Sequence, residues 1–130
     1  MEKKMLLIIE GRLDNLNDYT KACRTDPRAG NRMKRKNEEL ITGYIMQQLR
    51  GVQFDGRVYL NFRWVEANRN RDLDNVCFAK KFILDALVSS GVIETDGWRG
   101  VSGFTDEFDV DPERPRIEVV IEGKVKGERE

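Results

Sequence analysis

The sequence predicts a single α+β domain, a mixed β-sheet with two main helices on one face, and three observations predict it. Residues 57–66 alternate apolar and polar side chains with the period of a strand half-buried against a core. Two stretches, 31–50 and 74–90, repeat apolar side chains at helical spacing. The segments follow one another as strand, helix, strand, helix, strand, strand, the order of a domain whose helices cover one side of a sheet. At 130 residues the chain is long enough for one hydrophobic core and too short for two.

Taken in order, residues 5–9, MLLII, form a short strand that is apolar on both sides and stopped by Gly11. From Arg12 to Gly30 the periodicity is lost among Asn, Asp, Pro and Gly. This reads as a long loop, and loops of that length inside compact domains are usually functional or disordered. In the helix 31–50, Met33, Leu40, Ile41, Tyr44, Ile45 and Leu49 trace one stripe. Its first turns carry RMKRK, residues 32–36, and Lys21, Arg24 and Arg28 precede it. Cations at a helix N-terminus oppose the dipole, so helix stability does not account for them. A solvated surface does, unless a binding site lies beside it. In the strand 57–66, Val58, Leu60, Phe62 and Trp64 alternate with Tyr59, Asn61, Arg63 and Val65. The helix 74–90 ends at Gly91, residues 101–104 read as a strand, and 116–122 as the last strand, with Ile117, Val119 and Ile121 on one face. The domain spans 1–123 and leaves 124–130 as a polar tail.

Charged residues make up 35% of the chain and hydrophobic residues 39%, with a formal net charge of zero. Any attraction for nucleic acid must therefore come from local clustering of charge. No apolar run approaches the roughly 18 residues of a membrane span, and MLLII is too short for a signal-peptide core. The expectation is a cytoplasmic protein with no membrane contact. Cys23 and Cys77 form no CxxC pair, so neither a zinc site nor a disulfide framework is expected, and Cys77 reads as buried filler. The chain has no histidine, which excludes Ser-His-Asp triads, Cys-His pairs and any imidazole base. Carboxylates and lysines must carry whatever chemistry there is.

The stretch RNRDLDNV, residues 69–76, concentrates such groups. Asp72 and Asp74 fall where a strand gives way to a helix, and either can be an ordinary helix cap. Two carboxylates held close also repel one another unless a cation neutralises them, and Mg²⁺ takes one or two carboxylates together with waters and phosphates. A third acid is offered by Asp96 in ETDGW, with Glu94 a weaker second; the alternative for Asp96 is a plain turn aspartate. On the second helix Lys81, Asp85 and Ser89 form a polar strip, whereas Lys80 falls inside the apolar face. Either lysine can supply a fixed positive charge to a phosphate. Their alternatives are an i,i+4 pair with Asp85 and a snorkelling side chain. With Arg69, Arg71 and the basic segment, the constellation describes a metal-dependent phosphodiesterase acting on nucleic acid. A rival combination, Asp109 or Asp111 with Glu122-Gly-Lys124, is loose enough to recur by chance.

RDLDNV, KKFILDAL and SSGVIETDGW together resemble the RusA family of Holliday-junction resolvases over residues 68–97, and LNDY and the basic segments over 16–36 look like those of its phage-type members. The resemblance implies a Mg²⁺-dependent homodimer, with Mn²⁺ as a substitute and no small-molecule cofactor. Such an enzyme cuts four-way DNA junctions by paired symmetric incisions in recombination and repair. It maps the metal-binding acids onto Asp72, Asp74 and Asp96. The family's helix lysine maps onto Lys81 when counted back from Asp96. Counting forward from RDLDN meets no lysine, because this helix is about one turn longer, so Lys80 stays open. A two-fold dimer with one acidic site per subunit supplies the two nicks a symmetric junction needs. Arg69, Arg71, Arg28, Arg32, Lys34, Arg35 and Lys36 would hold DNA phosphates. Trp98 or Tyr19 would stack on an unpaired base, or else pack in the core or a dimer contact. A different class also accommodates these residues: a non-catalytic accessory protein that binds junctions or duplex DNA. The enzymatic reading requires Asp96 to come within a metal's reach, ~5 Å, of Asp72 and Asp74.

Overall fold

The strand with the cleanest alternation lies inside the sheet and organises it. In the computed structural model of the chain, which describes residues 2–127, the elements run β1 (Glu2–Glu10), α1 (Leu16–Thr25), α2 (Pro27–Gln48), β2 (Phe54–Glu66), α3 (Leu73–Cys77), α4 (Lys80–Ser89), β3 (Val101–Val110) and β4 (Arg116–Val125). The sheet order is β1-β4-β2-β3. The last strand pairs antiparallel with β1 and β2, while β2 and β3 run parallel, so the sheet is mixed, as the sequence predicts.

Val58, Leu60, Phe62 and Trp64 are each at most 1% exposed. They share one apolar cluster with Leu7 and Ile9 of β1, Val119 and Ile121 of β4, Ile41 and Ile45 of α2, and Phe82, Ile83 and Leu87 of α4. All helices therefore cover one face. The other face is left open, with Leu6 and Tyr59 exposed and charged residues around them. Arg63 there bridges Asp109 and Glu118, and Arg116 binds Glu118 at 2.8 Å and Asp111 at 3.2 Å.

Several boundaries differ from the sequence reading; β1 and β3 run longer than read, over Glu2–Glu10 and Val101–Val110. The long loop over 12–30 is mostly helix: α1 opens on a reciprocal capping box in which Asn15 and Asp18 each accept the other's backbone N–H. Asp26 then caps α2, with Pro27 at its first position. Pro has no N–H to leave unpaired there, so it starts the helix at no cost. The basic run 32–36 thus lies past the first turn of α2, and its conflict with the helix dipole is smaller than expected. The helix over 74–90 is two pieces, joined by hydrogen bonds from Ala79 to Val76 and from Lys81 to Phe78, which tighten the backbone between them. Strand β2 begins at Phe54 because Gly56, at φ +80°, carries it through a register shift between Asp55 and Tyr59. Finally β4 continues to Val125 and Lys126 N–H bonds Gln53, so the expected tail starts later; residues 128–130 lie outside the described ones. No helix among the described residues is long and apolar enough to cross a membrane.

The edge strand β1 is closed by a side chain. Gln48, at the end of α2, accepts the Ile8 N–H at 2.7 Å and donates to the Ile8 carbonyl at 2.8 Å, filling the place a further strand would take. Gln48→Ala is expected to cost about 1 kcal/mol and to speed amide exchange at Ile8; urea denaturation and hydrogen exchange read both.

Acid should weaken the open face. Hydrogen bonds from Arg116, then Arg63, hold Glu118 below its ordinary pKa against a smaller opposing effect of burial. A carboxyl depressed in the folded state stabilises above its unfolded pKa, and that contribution is lost as pH falls through the folded value. The urea midpoint should fall with acidification in that window, and Glu118→Gln should flatten the dependence.

Candidate active site

Where β2 ends at Glu66 the chain leaves the sheet, turns through residues 67–71 and enters α3. Parallel β3 ends beside it at Val110. Between these carboxyl ends lies a cleft of about 470 Å³ lined by Asp72, Arg69, Arg71, Glu66, Phe108 and Asp109 among others. Crevices at the carboxyl ends of parallel strands are where α/β sheets place ligands.

Asp72 is the N-cap residue of α3, yet its side chain makes no capping hydrogen bond. That disposes of the plain-cap reading for Asp72 and leaves an exposed carboxylate on the cleft wall. Asp74, in the first turn, accepts the Asn75 backbone N–H at 3.0 Å. Arg69 is exposed and makes no ion pair with a described residue. Arg71 is not available in the way the sequence suggests. Its guanidinium turns inward to the Leu13 carbonyl at 3.1 Å and Asp18 at 3.3 Å, with Glu66 at 3.9 Å, so it ties the start of α1 to the cleft. Glu66 is the acid that sequence reading missed: its Oε1 is buried without a hydrogen-bond partner, and Arg12 stands 3.7 Å away. The signal was there, since position 66 continues the inward series 58, 60, 62, 64.

Asp96 goes elsewhere. The loop after α4 folds back along that helix, and Lys81 Nζ holds Asp96 at 3.3 Å and Asp85 at 3.2 Å. Asp85 also meets Lys34 of α2 at 3.4 Å. The cleft lies at the end of β3, whereas this loop leads into its beginning. Among the described residues no three Cys, Asp or Glu side chains form a group that could hold a metal ion. Asp72, Asp74 and Asp96 thus form no such group in this structure, and Asp96 is paired with Lys81 instead. The donors that remain fit Mg²⁺ in part: two exposed aspartates offer hard oxygen ligands, and Mg²⁺ completes its shell with waters and substrate phosphates. Glu94, the weaker alternative, pairs with Lys126 at 3.5 Å.

The two lysines separate cleanly. Lys81 is mostly exposed, and its ammonium donates to Asp85, with Asp96 behind it, which raises its pKa above the ordinary value. Lys80 is turned toward the sheet, only 13% exposed, with Nζ 2.6 Å from Asp106 and 3.8 Å from the centroid of the Phe104 ring. Trp64 Nε1 donates to the second oxygen of Asp106 at 2.9 Å, so this half-buried pair is fully engaged. Cys77 nearby is half-buried, and desolvation pushes its thiol pKa up, in keeping with filler.

On α2, Arg28, Arg35 and Lys36 are exposed and make no ion pair with described residues. Arg32 lies 4.0 Å from Asp26, and Lys34 is shared between Glu38 and Asp85. Tyr19 packs on Phe78 and Phe82, whereas Trp98 is 91% exposed. The rival acids are scattered: Asp109 and Asp111 face Arg63 and Arg116. Glu122 sits six residues further along β4, about 20 Å away, and pairs with Lys4 at 3.7 Å. The chain matches no protein-family model and no curated protein.

Asp106→Asn would leave Lys80 half-buried beside an uncharged partner. A loss of roughly 1–3 kcal/mol is expected in urea denaturation, and the double change Lys80→Met with Asp106→Asn should recover part of it.

Proposed function

We propose that the chain is a metal-dependent endonuclease of the RusA type that cuts branched DNA as a homodimer. The observation that carries this reading is the position of RDLDN. Its first aspartate stands uncapped on the wall of the cleft at the ends of β2 and β3, with unpaired Arg69 beside it. Asp72 and Asp74 would hold the ion. A bound Mg²⁺ would lower the pKa of a water and offset charge growing on the phosphate. Arg69 would orient the phosphate, and Arg28, Arg35 and Lys36 would hold flanking strands without reading their sequence. Lys81 would act as a fixed cation near the DNA backbone. Asp96 would join the ion only by leaving Lys81.

The second reading is a junction- or duplex-binding protein without catalysis, and the capture of Asp96 by Lys81 favours it. A labelled synthetic four-way junction separates the two. The nuclease reading expects symmetric nicks with Mg²⁺ and none with chelator. Asp72→Asn should slow cutting by about 100-fold or more and leave binding intact, since removing a negative charge cannot weaken attraction to phosphate. An intact junction under all conditions, with tight binding retained, would establish the accessory role. Arg35→Ala or Lys36→Ala should each reduce the salt dependence of binding by about one counterion.

A further inference from the structure

The two tryptophans have opposite environments. Trp64 is 1% exposed inside the core, and Trp98 is 91% exposed on the loop between α4 and β3. The loop is not slack. Gly100 N–H and Val101 N–H both bond the Gly97 carbonyl, at 3.1 and 3.0 Å, and Gly97 N–H bonds Thr95 Oγ1 at 3.2 Å. Val58 of β2 pins the loop's end through the Gly100 carbonyl at 2.9 Å. At Gly100 a Cβ would stand 1.9 Å from the Thr95 carbonyl oxygen, so the closure admits only glycine. An indole carried on such a frame meets a ligand with little conformational entropy to lose.

Its surroundings choose the ligand. The nearest chain neighbours are Asp96, Gly97, Arg99 and Gly100, so no second apolar side chain adjoins Trp98 along the loop to extend an apolar protein-docking patch. A chain of ion pairs, Asp96 to Lys81 at 3.3 Å, Lys81 to Asp85 at 3.2 Å and Asp85 to Lys34 at 3.4 Å, ties this loop to the basic part of α2. Both acids of the chain are neutralised by the lysines between them. Arg28, Arg35 and Lys36 on α2 are left without ion pairs among the described residues. An exposed aromatic face with Arg99 beside it and Lys81 neutralising Asp96 fits a nucleobase with its phosphate, because every unpaired base offers a face to stack and a charge to hold.

We propose that Trp98 is a stacking platform for an unpaired nucleobase, with the adjacent Arg99, exposed and without an ion pair among the described residues, to hold a phosphate. This rests on the nucleic-acid reading above and extends it: duplex ends and stacked base pairs would be poor ligands, and DNA with unpaired or splayed bases a good one.

The test uses the full chain with chelator present, a short oligothymidylate and a fully paired duplex as probes, and tryptophan fluorescence as the readout. Oligothymidylate should quench the exposed indole and leave Trp64 silent, while duplex should not. Trp98→Ala should bind oligothymidylate about 5- to 100-fold more weakly, Trp98→Phe should retain most of the affinity, and duplex binding should be unchanged in both. Wild-type affinity for oligothymidylate in Trp98→Ala, or no binding by the wild type, overturns the inference. So does an emission change that follows protein concentration alone, which would make a second copy of the chain the occupant. Junction cutting with Mg²⁺, run on the same proteins, keeps the two ideas apart. Cutting with no role for Trp98 removes only the stacking site, and quenching without cutting removes only the nuclease.

Discussion

The apolar stripe buried along one face of β2 is the constraint on which the other features depend. Val58, Leu60, Phe62 and Trp64 all face the same way and are sealed, so every helix must lie on that side, and each crossover must return there. The connection from β2 to parallel β3 runs over this face through α3 and α4. It therefore has to leave the sheet at Glu66 and start a helix at once. That start, with its free N–H groups and its uncapped Asp72, is what creates a polar cleft at the edge of an apolar core. Burial of Phe62 and Trp64 thus positions Asp72 as surely as any contact the aspartate makes.

Charge is arranged locally, since the chain has none to spare globally. Lys80 and Lys81 are consecutive on α4, and the roughly 100° step between them sends one to Asp106 on the sheet side and the other to Asp85 and Asp96 outside. The inner pair locks α4 onto β3. The outer series ties α4, the following loop and α2 together. Some acids that would otherwise repel a polyanion are paired within the fold, and Arg28, Arg35 and Lys36 of α2 are left without ion pairs among the described residues, so a neutral protein can still present local positive charge.

Much of the fold was legible in the sequence, and the failures have identifiable causes. Strand β2 and the apolar stripes of α2 and α4 follow from period alone. Helix α1 was hidden because none of its residues is buried, so no apolar stripe announced it, although Asn15 with Asp18 and Asp26 with Pro27 are readable as helix starts. Strand β3 runs on to Val110 with Phe104, Asp106 and Phe108 on the helix side. The aspartate interrupts the apolar alternation, and only its bonds to Lys80 and Trp64 explain it. Residues 72 and 74 were legible as exposed acids at a helix start. The direction taken by Asp96 was not, because a turn sequence specifies local backbone and a distant lysine decides where the side chain points.

The most direct measurement of the central claim, that Asp72 and Asp74 form a divalent-ion site, is the broadening of backbone amide resonances by Mn²⁺ in the intact protein, with and without branched DNA. The account predicts that amides of residues 72–76 broaden first and that excess Mg²⁺ reverses the effect. Broadening that begins elsewhere, or that spreads evenly over the acidic surface with no focus at the start of α3, would contradict it.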